Sequence, residues 1–235
     1  MLDTGCGELG ISLNDQQAQQ FMNYLEFLQK KNQEMNLTAI EEDEEIIIKH
    51  FLDSLTALKA MDLKKGVKII DIGTGAGFPG VPLKIYQPQI QLTLLDSLNK
   101  RVNFLRELCE QLGLAEGVEY IHGRAEDYGK NPKYREGFDY VVSRAVAELG
   151  ILAEYCLPLV KKGGYFLALK GPLAEEELDK GKRALQILGG KVEDIFALNL
   201  PLREDKRNLV LIKKISSTPK EYPRKAGTPQ KKPLG

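Results

Sequence analysis

The ten residues "DIGTGAGFPG" (71–80) directly follow the apolar run "VKII" (67–70). Gly73, Gly75, Gly77 and Gly80 place four glycines within eight positions. Glycine gives up more backbone freedom on ordering than any other residue. A turn this rich in it answers a demand for tight curvature or close backbone approach. A strand that exits into a glycine-rich turn and then a helix is how open α/β sheets meet a ligand, with the helix N-terminus favouring a negative group.

Outward from this turn the chain keeps the same texture. Short apolar runs occupy 67–72, 91–96, 118–123, 138–143, 164–170 and 208–214, and "LGGKVEDIFAL" (188–198) holds one more. Helical patterns lie near 79–86, 98–112, 148–159 and 173–188. Buried strands alternating with crossover helices predict an α/β, Rossmann-like fold: a doubly wound, mainly parallel seven-stranded sheet with helices on both faces.

Ahead of it the pattern is helical. Ala18, Phe21, Met22, Leu25 and Leu28 recur at three- and four-residue spacing, with Asn14 and Gln17 placed as a cap. Ile47, Phe51, Leu55 and Leu58 share a face after the acidic run "EEDEE" (41–45), whose charge suits a helix start. The end differs again: "KKISSTPKEYPRKAGTPQKKPLG" (213–235) has seven Lys or Arg, one Glu and four prolines. Such a segment reads as an extended, solvated tail. The expected organisation is a helical extension (1–65), a ligand-binding domain (66–215) and a basic tail (216–235).

Composition narrows the function classes. The 235 residues carry 33 basic and 33 acidic side chains, so the whole surface is no magnet for nucleic acid and any basic surface is local. Cys6, Cys109 and Cys156 are far apart and lack CxxC spacing. That excludes a zinc site or disulfide framework and suits reduced thiols in a cytoplasmic protein. The most apolar long window is interrupted by Arg144, Glu148 and Glu154, so no membrane span is expected. Nothing requires more than a monomer.

Two ligands compete for the glycine turn. Gly75-Ala76-Gly77-Phe78-Pro79-Gly80 fits the GxGxxG spacing of nicotinamide dinucleotide enzymes, a weak signal alone. Asp71 before the glycines, and the tighter Gly73-x-Gly75-x-Gly77, instead resemble class I S-adenosylmethionine-dependent methyltransferases. Asp96 ends the second strand, where an acid accepts ribose hydroxyls, and serves either ligand. Ala125 and Glu126 follow the third strand, where the methyltransferase plan places its adenine contacts.

Beyond the fourth strand stands Ser143-Arg144-Ala145-Val146. It is neither the Asp/Asn-Pro-Pro-aromatic motif of amine methylation nor a nucleophilic cysteine. His50 and His122 are far apart and neither is assigned as a general base. An acceptor with a lone pair, such as N7 of guanine, needs no proton removed. The enzyme then chiefly aligns the reactants.

"NLTAI" (36–40), "HFLDSL" (50–55), residues 71–85, "LLDSLNKRVNFL" (94–105), "GRAED" (123–127), "SRAVAEL" (143–149), "LPLVKKGG" (157–164) and "TPKEYPRKAGTP" (218–229) together resemble one family. It is the bacterial 16S ribosomal RNA guanine-N7-methyltransferases, also called glucose-inhibited division protein B. The resemblance spans nearly the whole chain. It implies S-adenosyl-L-methionine as cofactor, and methylation of one guanosine, number 527, in the 530 loop of the small ribosomal subunit's RNA. It implies cofactor contacts at Gly73, Phe78, Asp96, Ser97, Leu98, Ala125, Glu126 and Arg144. By pattern alone Phe78 is a core aromatic, and Arg144 is a clamp for a phosphate or carboxylate. The tail's Lys220, Arg224 and Lys225 suit phosphates and Tyr222 a base. Lys100, Arg101, Lys161, Lys162 and Lys170 extend a basic rim. Two other readings stay open at this point: a nicotinamide-dependent oxidoreductase, and a non-enzymatic RNA-binding assembly protein.

Overall fold

The cap expected at Asn14 forms. Its side chain accepts the Gln17 N–H at 2.9 Å, and the Gln17 side chain accepts the Asn14 N–H at 2.9 Å, a reciprocal capping box. It opens helix α2 (Asp15–Met35), preceded by a short α1 (Leu2–Leu9) that the sequence did not announce. The computed structural model describes residues 1–144, 147–172 and 175–234. Ala145 and Val146, in the stretch after the fourth strand, and Leu173 and Ala174, at the start of the helix expected from 173, lie outside the described residues.

After α2 the chain winds through α3 (Asp43–Ile46), a π-helical turn (Ile47–Leu52), α4 (Asp53–Leu55) and a 3-10 turn (Thr56–Lys59). The alternating part follows: β1 (Lys68–Ile72), α5 (Gly80–Tyr86), β2 (Gln91–Asp96), α6 (Asn99–Gln111), β3 (Val118–His122), α7 (Ala125–Tyr128) and β4 (Phe138–Arg144). Then come α8 (Leu149–Cys156), β5 (Val160–Lys170), α9 (Glu175–Leu188), β6 (Gly190–Asn199), β7 (Lys206–Lys214) and α10 (Thr228–Lys231).

The strands form one sheet in the order β3-β2-β1-β4-β5-β7-β6. Strands β1 to β5 pair in parallel, while β7 runs antiparallel to both β5 and β6. The order reverses between β1 and β4, so a crevice opens beyond their carboxyl ends.

Period-2 alternation splits the buried side chains between two cores. Ile69, Leu92, Leu94 and Val142 join Phe21, Tyr24, Leu28, Phe51 and Leu105 on one face. Ile70, Ile72, Val141 and Phe166 join Leu152, Cys156 and Leu185 on the other. The N-terminal helices therefore share a core with the sheet and cover its face rather than its edge.

Several expectations need correction. Met22 turns out to solvent, and Tyr24, fully buried, takes its place in the core. Lys161 and Lys162 begin β5, where Val160 pairs with Phe138. They lie at the amino ends of the strands, away from the crevice, and Lys161 pairs with Asp139. The tail is not an extended solvated arm: Thr218, Pro223 and Pro229 are buried against the body. Among the described residues no helix is long and apolar enough to cross a membrane.

Candidate active site

The glycine turn bends through left-handed backbone at three positions, Gly73 (φ 68°), Gly75 (φ 61°) and Gly77 (φ 106°). At Gly77 conformation and space coincide. A Cβ there would lie 2.6 Å from Tyr24 Oη and 2.9 Å from Val81 Cγ2, so only glycine fits. Asp71 anchors the turn from within. Its Oδ2 accepts the Thr74 hydroxyl at 2.7 Å and the Gly80 N–H at 2.9 Å. Its Oδ1 is buried with no partner among the described residues. Burial pushes the carboxyl up to about 6, against the pull of those two hydrogen bonds.

Asp96, 2% exposed at the end of β2, ties the second strand to the same turn. Its Oδ2 accepts the Gly75 N–H and its Oδ1 the Leu98 N–H, each at 2.9 Å. A carboxylate has about four lone-pair directions, so capacity for hydroxyl donors remains. Ser97 and Leu98 follow in the open; Leu98 is 43% exposed, an unusual place for a large apolar side chain. Ala125 and Glu126 are buried at the start of α7. Ser97, Ala125, Glu126, Gly73, Gly227 and Gln230 line a cavity of about 210 Å³.

Gly73 is shared with a larger cavity of about 470 Å³ beyond β1 and β4, lined among others by Thr38, His50, Asp53, Phe78, Arg144 and Arg207. Part of this wall comes from the N-terminal segment: Leu37, Thr38 and Ile40 from the loop after α2, and Lys49, His50 and Asp53 from the helical turns that follow. The π-helical turn lowers His50 against Phe78, ring centroids 4.5 Å apart, and π-helical turns frequently mark functional sites. Phe78 is also stacked on Tyr24 at 5.3 Å and carries the Arg144 guanidinium over its face at 4.9 Å. It is both a core aromatic and a cavity wall.

Arg144 ends β4 and is no free clamp. Its Nη1 donates to Asp53 Oδ2 at 3.0 Å and to the Lys49 carbonyl at 2.9 Å. Asp53 Oδ1 accepts Arg207 Nε at 2.9 Å. One buried carboxylate thus holds two guanidinium groups at the mouth, and the trio keeps one net positive charge. Lys170 lines the same cavity but is paired with Glu177 at 2.8 Å. His50 is held far below the usual histidine range, at about 3, by burial and then by the Arg144 charge. His122 lies elsewhere, exposed at the end of β3. Cys156 is buried in the core, and burial pushes its thiol well above the ordinary value, so it is no nucleophile here.

The residues predicted from sequence therefore fall into two groups around one crevice. Asp96, Ser97, Leu98, Ala125 and Glu126 stand on one side, Phe78 and Arg144 on the other, and Gly73 is between. The sequence reading missed His50, Asp53, Thr38 and Tyr24. The one local signal was an acid, Asp53, inside the helical stretch "HFLDSL".

This sheet order, the glycine turn at the switch point and the acid ending β2 define a class I methyltransferase fold. Solved structures share it. The chain superposes on TrmN from Thermus thermophilus with a TM-score of 0.54 and 18% identity, covering 69% of this chain and 48% of that one. The SAM-dependent O-methyltransferase of Thermotoga maritima gives 0.53 at 19% identity, covering 82% and 72%. Sequence is more specific. Residues 17–210 match the GidB family, rRNA small subunit methyltransferase G. Proteins named ribosomal RNA small subunit methyltransferase G are similar along the whole length. The one from Alkaliphilus metalliredigens is 52% identical over 234 residues, 100% of this chain and 98% of its own. That of Lactobacillus acidophilus is 54% identical over 224 residues, 94% and 93%. The chain belongs to the GidB family and is an rRNA methyltransferase, which sets aside the oxidoreductase reading.

Proposed function

We propose that the protein methylates N7 of one guanosine, number 527 in the 530 loop of 16S ribosomal RNA, with S-adenosyl-L-methionine as donor. The crevice residues fit that donor. Asp96 keeps lone pairs for ribose hydroxyls, exposed Leu98 and the cavity-lining Ala125 offer apolar surface to an adenine, and Gly73 lines both cavities. When bound, S-adenosylmethionine supplies an electrophilic methyl group on a sulfonium.

The observation that carries the choice of acceptor is the state of the larger cavity. Among its described residues the basic side chains are spoken for: Lys49 by Glu45, Lys170 by Glu177, Arg144 and Arg207 by Asp53, and both ring nitrogens of His50 by neighbours. The Asp53 carboxylate is itself held by both guanidinium groups, so among the described residues no group there is poised to take a proton. An acceptor that attacks with a free ring lone pair needs none. The chain's contribution is then alignment and exclusion of water. Guanidinium N–H groups at the mouth suit a guanine carbonyl or a phosphate. N7 faces the deep, narrow major groove of an A-form helix, so the target base lies in a loop or distorted helix.

Transfer of a labelled methyl group to 30S subunits lacking the modification tests this, with the product base identified by mass and position. A single 7-methylguanosine in the 530 loop is the expected product. Label on another base or atom, or equal transfer to a perfect duplex, contradicts the proposal.

A further inference from the structure

The basic C-terminal segment, which the sequence presents as a tail, is fastened down by buried charge. Glu154 on α8 has no solvent exposure. Its carboxylate accepts Arg224 Nε at 2.9 Å, Nη2 at 2.6 Å and the Arg224 backbone N–H at 2.8 Å. A buried carboxylate stripped of its partner is strongly unfavourable, so Glu154 requires the segment in place. Arg135 grips it from below, donating to the carbonyls of Thr218, Pro219 and Tyr222 at 2.7, 3.1 and 2.8 Å. Glu136 accepts the Thr218 N–H at 2.8 Å. Pro223 packs on Gly129, where a Cβ would meet its ring at 2.9 Å.

Three residues past the clasped arginine, the Gly227 N–H donates to Glu126 Oε1 at 2.9 Å. Gly227 and Gln230 then close the outer wall of the smaller cavity, opposite Ser97, Gly123 and Ala125. Arg224 itself does not line that cavity.

We propose that the segment from Gly227 to Lys231 is a working wall of the adenosine end of the cofactor cleft, with the Glu154–Arg224 ion pair as its positioning device. This rests on reading the smaller cavity as the place of the donor's adenosine. Arg224 and Glu154 are positioning residues: they act on the ligand only through the backbone of Gly227 and the side chains beside it. Because coupling between two sites is reciprocal, a ligand that needs the wall must also hold the wall closed.

The full-length protein tests this in two measurements. The first is limited trypsin cleavage after Lys220, Arg224 and Lys225, followed by mass spectrometry, with S-adenosylhomocysteine, adenosine or methionine added. Slower cleavage with S-adenosylhomocysteine and adenosine but not with methionine is expected, and it needs no variant to fold. Equal cleavage with and without a bound S-adenosylhomocysteine overturns the proposal. The second is steady-state methyl transfer and calorimetry on Arg224→Ala, Arg224→Lys and, as a tail control, the exposed Glu221→Ala. Arg224→Ala should weaken S-adenosylhomocysteine binding and raise the KM for S-adenosylmethionine by about tenfold, a typical coupling between linked sites. The KM for 30S subunits should stay unchanged. Arg224→Lys should recover part of the loss, and Glu221→Ala should move neither constant. Wild-type affinity in Arg224→Ala, or an equal rise in both KM values, sinks the wall. A wild-type chain that binds no S-adenosylhomocysteine at all overturns the donor assignment, and this proposal falls with it.

Discussion

Arg144 Nη2 lies 3.1 Å from Nδ1 of His50. A guanidinium only donates and does not lose its proton, so Nδ1 is the acceptor and carries no hydrogen. The proton of the neutral ring then sits on Nε2, which donates to Thr38 Oγ1 at 2.8 Å. The Lys49 carbonyl, 3.2 Å from Nδ1, takes its hydrogen from Arg144 Nη1 instead. His50 is thus one fixed tautomer. Nitrogen-15 NMR of the protein should show its Nε2–H form unchanged between about pH 5 and 8, the range in which an ordinary histidine titrates. A titration in that range would mean that the Arg144 contact is not made in solution.

Asp53 pairs with Arg144 at 3.0 Å and with Arg207 at 2.9 Å while it is itself 5% exposed. Removing one member of a buried ion pair costs about 3–5 kcal/mol, because the charges left behind are unpaired. Asp53→Ala should therefore lower stability in urea by that order. Methyl transfer should fall further than cofactor affinity, since Asp96, Ala125 and Glu126 stand on the other side of Gly73. Equal losses in both would place Asp53 in the general scaffold rather than at the mouth.

What the sequence revealed and what it hid follow one physical divide. The capping box of Asn14 and Gln17, the seven strands and the turn at Gly73 to Gly80 are set by neighbours a few residues away. Local pattern carries them. The acid ending β2 was legible because strand ends in a parallel sheet point to one crevice. His50 was not, because its place depends on a π-helical turn that brings residue 50 against residue 144 across the fold. The tail was misread for the same reason. Arg224 looks like a solvated cation until Glu154, 70 positions earlier, is seen buried with no other partner for its charge among the described residues. Met22 and Tyr24 both fit a helical period, and only packing on Phe78 chooses Tyr24.

Tyr24 reaches from α2 to the glycine turn, where its hydroxyl donates to the Ala76 carbonyl. The ring is fully buried between Phe51 and Phe78. Tyr24→Phe keeps the packing and leaves that carbonyl without its donor, at a cost of about 1–3 kcal/mol. The same change loosens the turn that bears Gly73 and Gly75, so affinity for S-adenosylhomocysteine should drop along with the thermal midpoint. Calorimetry and melting curves on one preparation check both. A lower midpoint with unchanged affinity would separate the core from the turn.

Asp71 and His50 make stability respond to acid in opposite directions, and single variants can separate them. The folded His50 takes a proton only near pH 3, against 6.5 when unfolded. Between those values the unfolded chain binds more protons, so this group's contribution is present above about pH 6.5 and is lost as the pH falls. The folded Asp71 holds its proton to about 6, against 3.8 when unfolded. There the folded chain binds more protons, so its contribution is present below about pH 4 and is lost as the pH rises through 6. Asp71→Asn keeps an oxygen for the Thr74 hydroxyl and the Gly80 N–H and removes the titration. It should therefore make the stability loss between pH 7 and pH 5 steeper than in the wild type. His50→Gln should make it shallower. Urea denaturation of the three proteins at pH 7, 6 and 5 reads the slopes directly. An unchanged slope in Asp71→Asn would show that the carboxyl at the root of the glycine turn ionises like a solvent-exposed one.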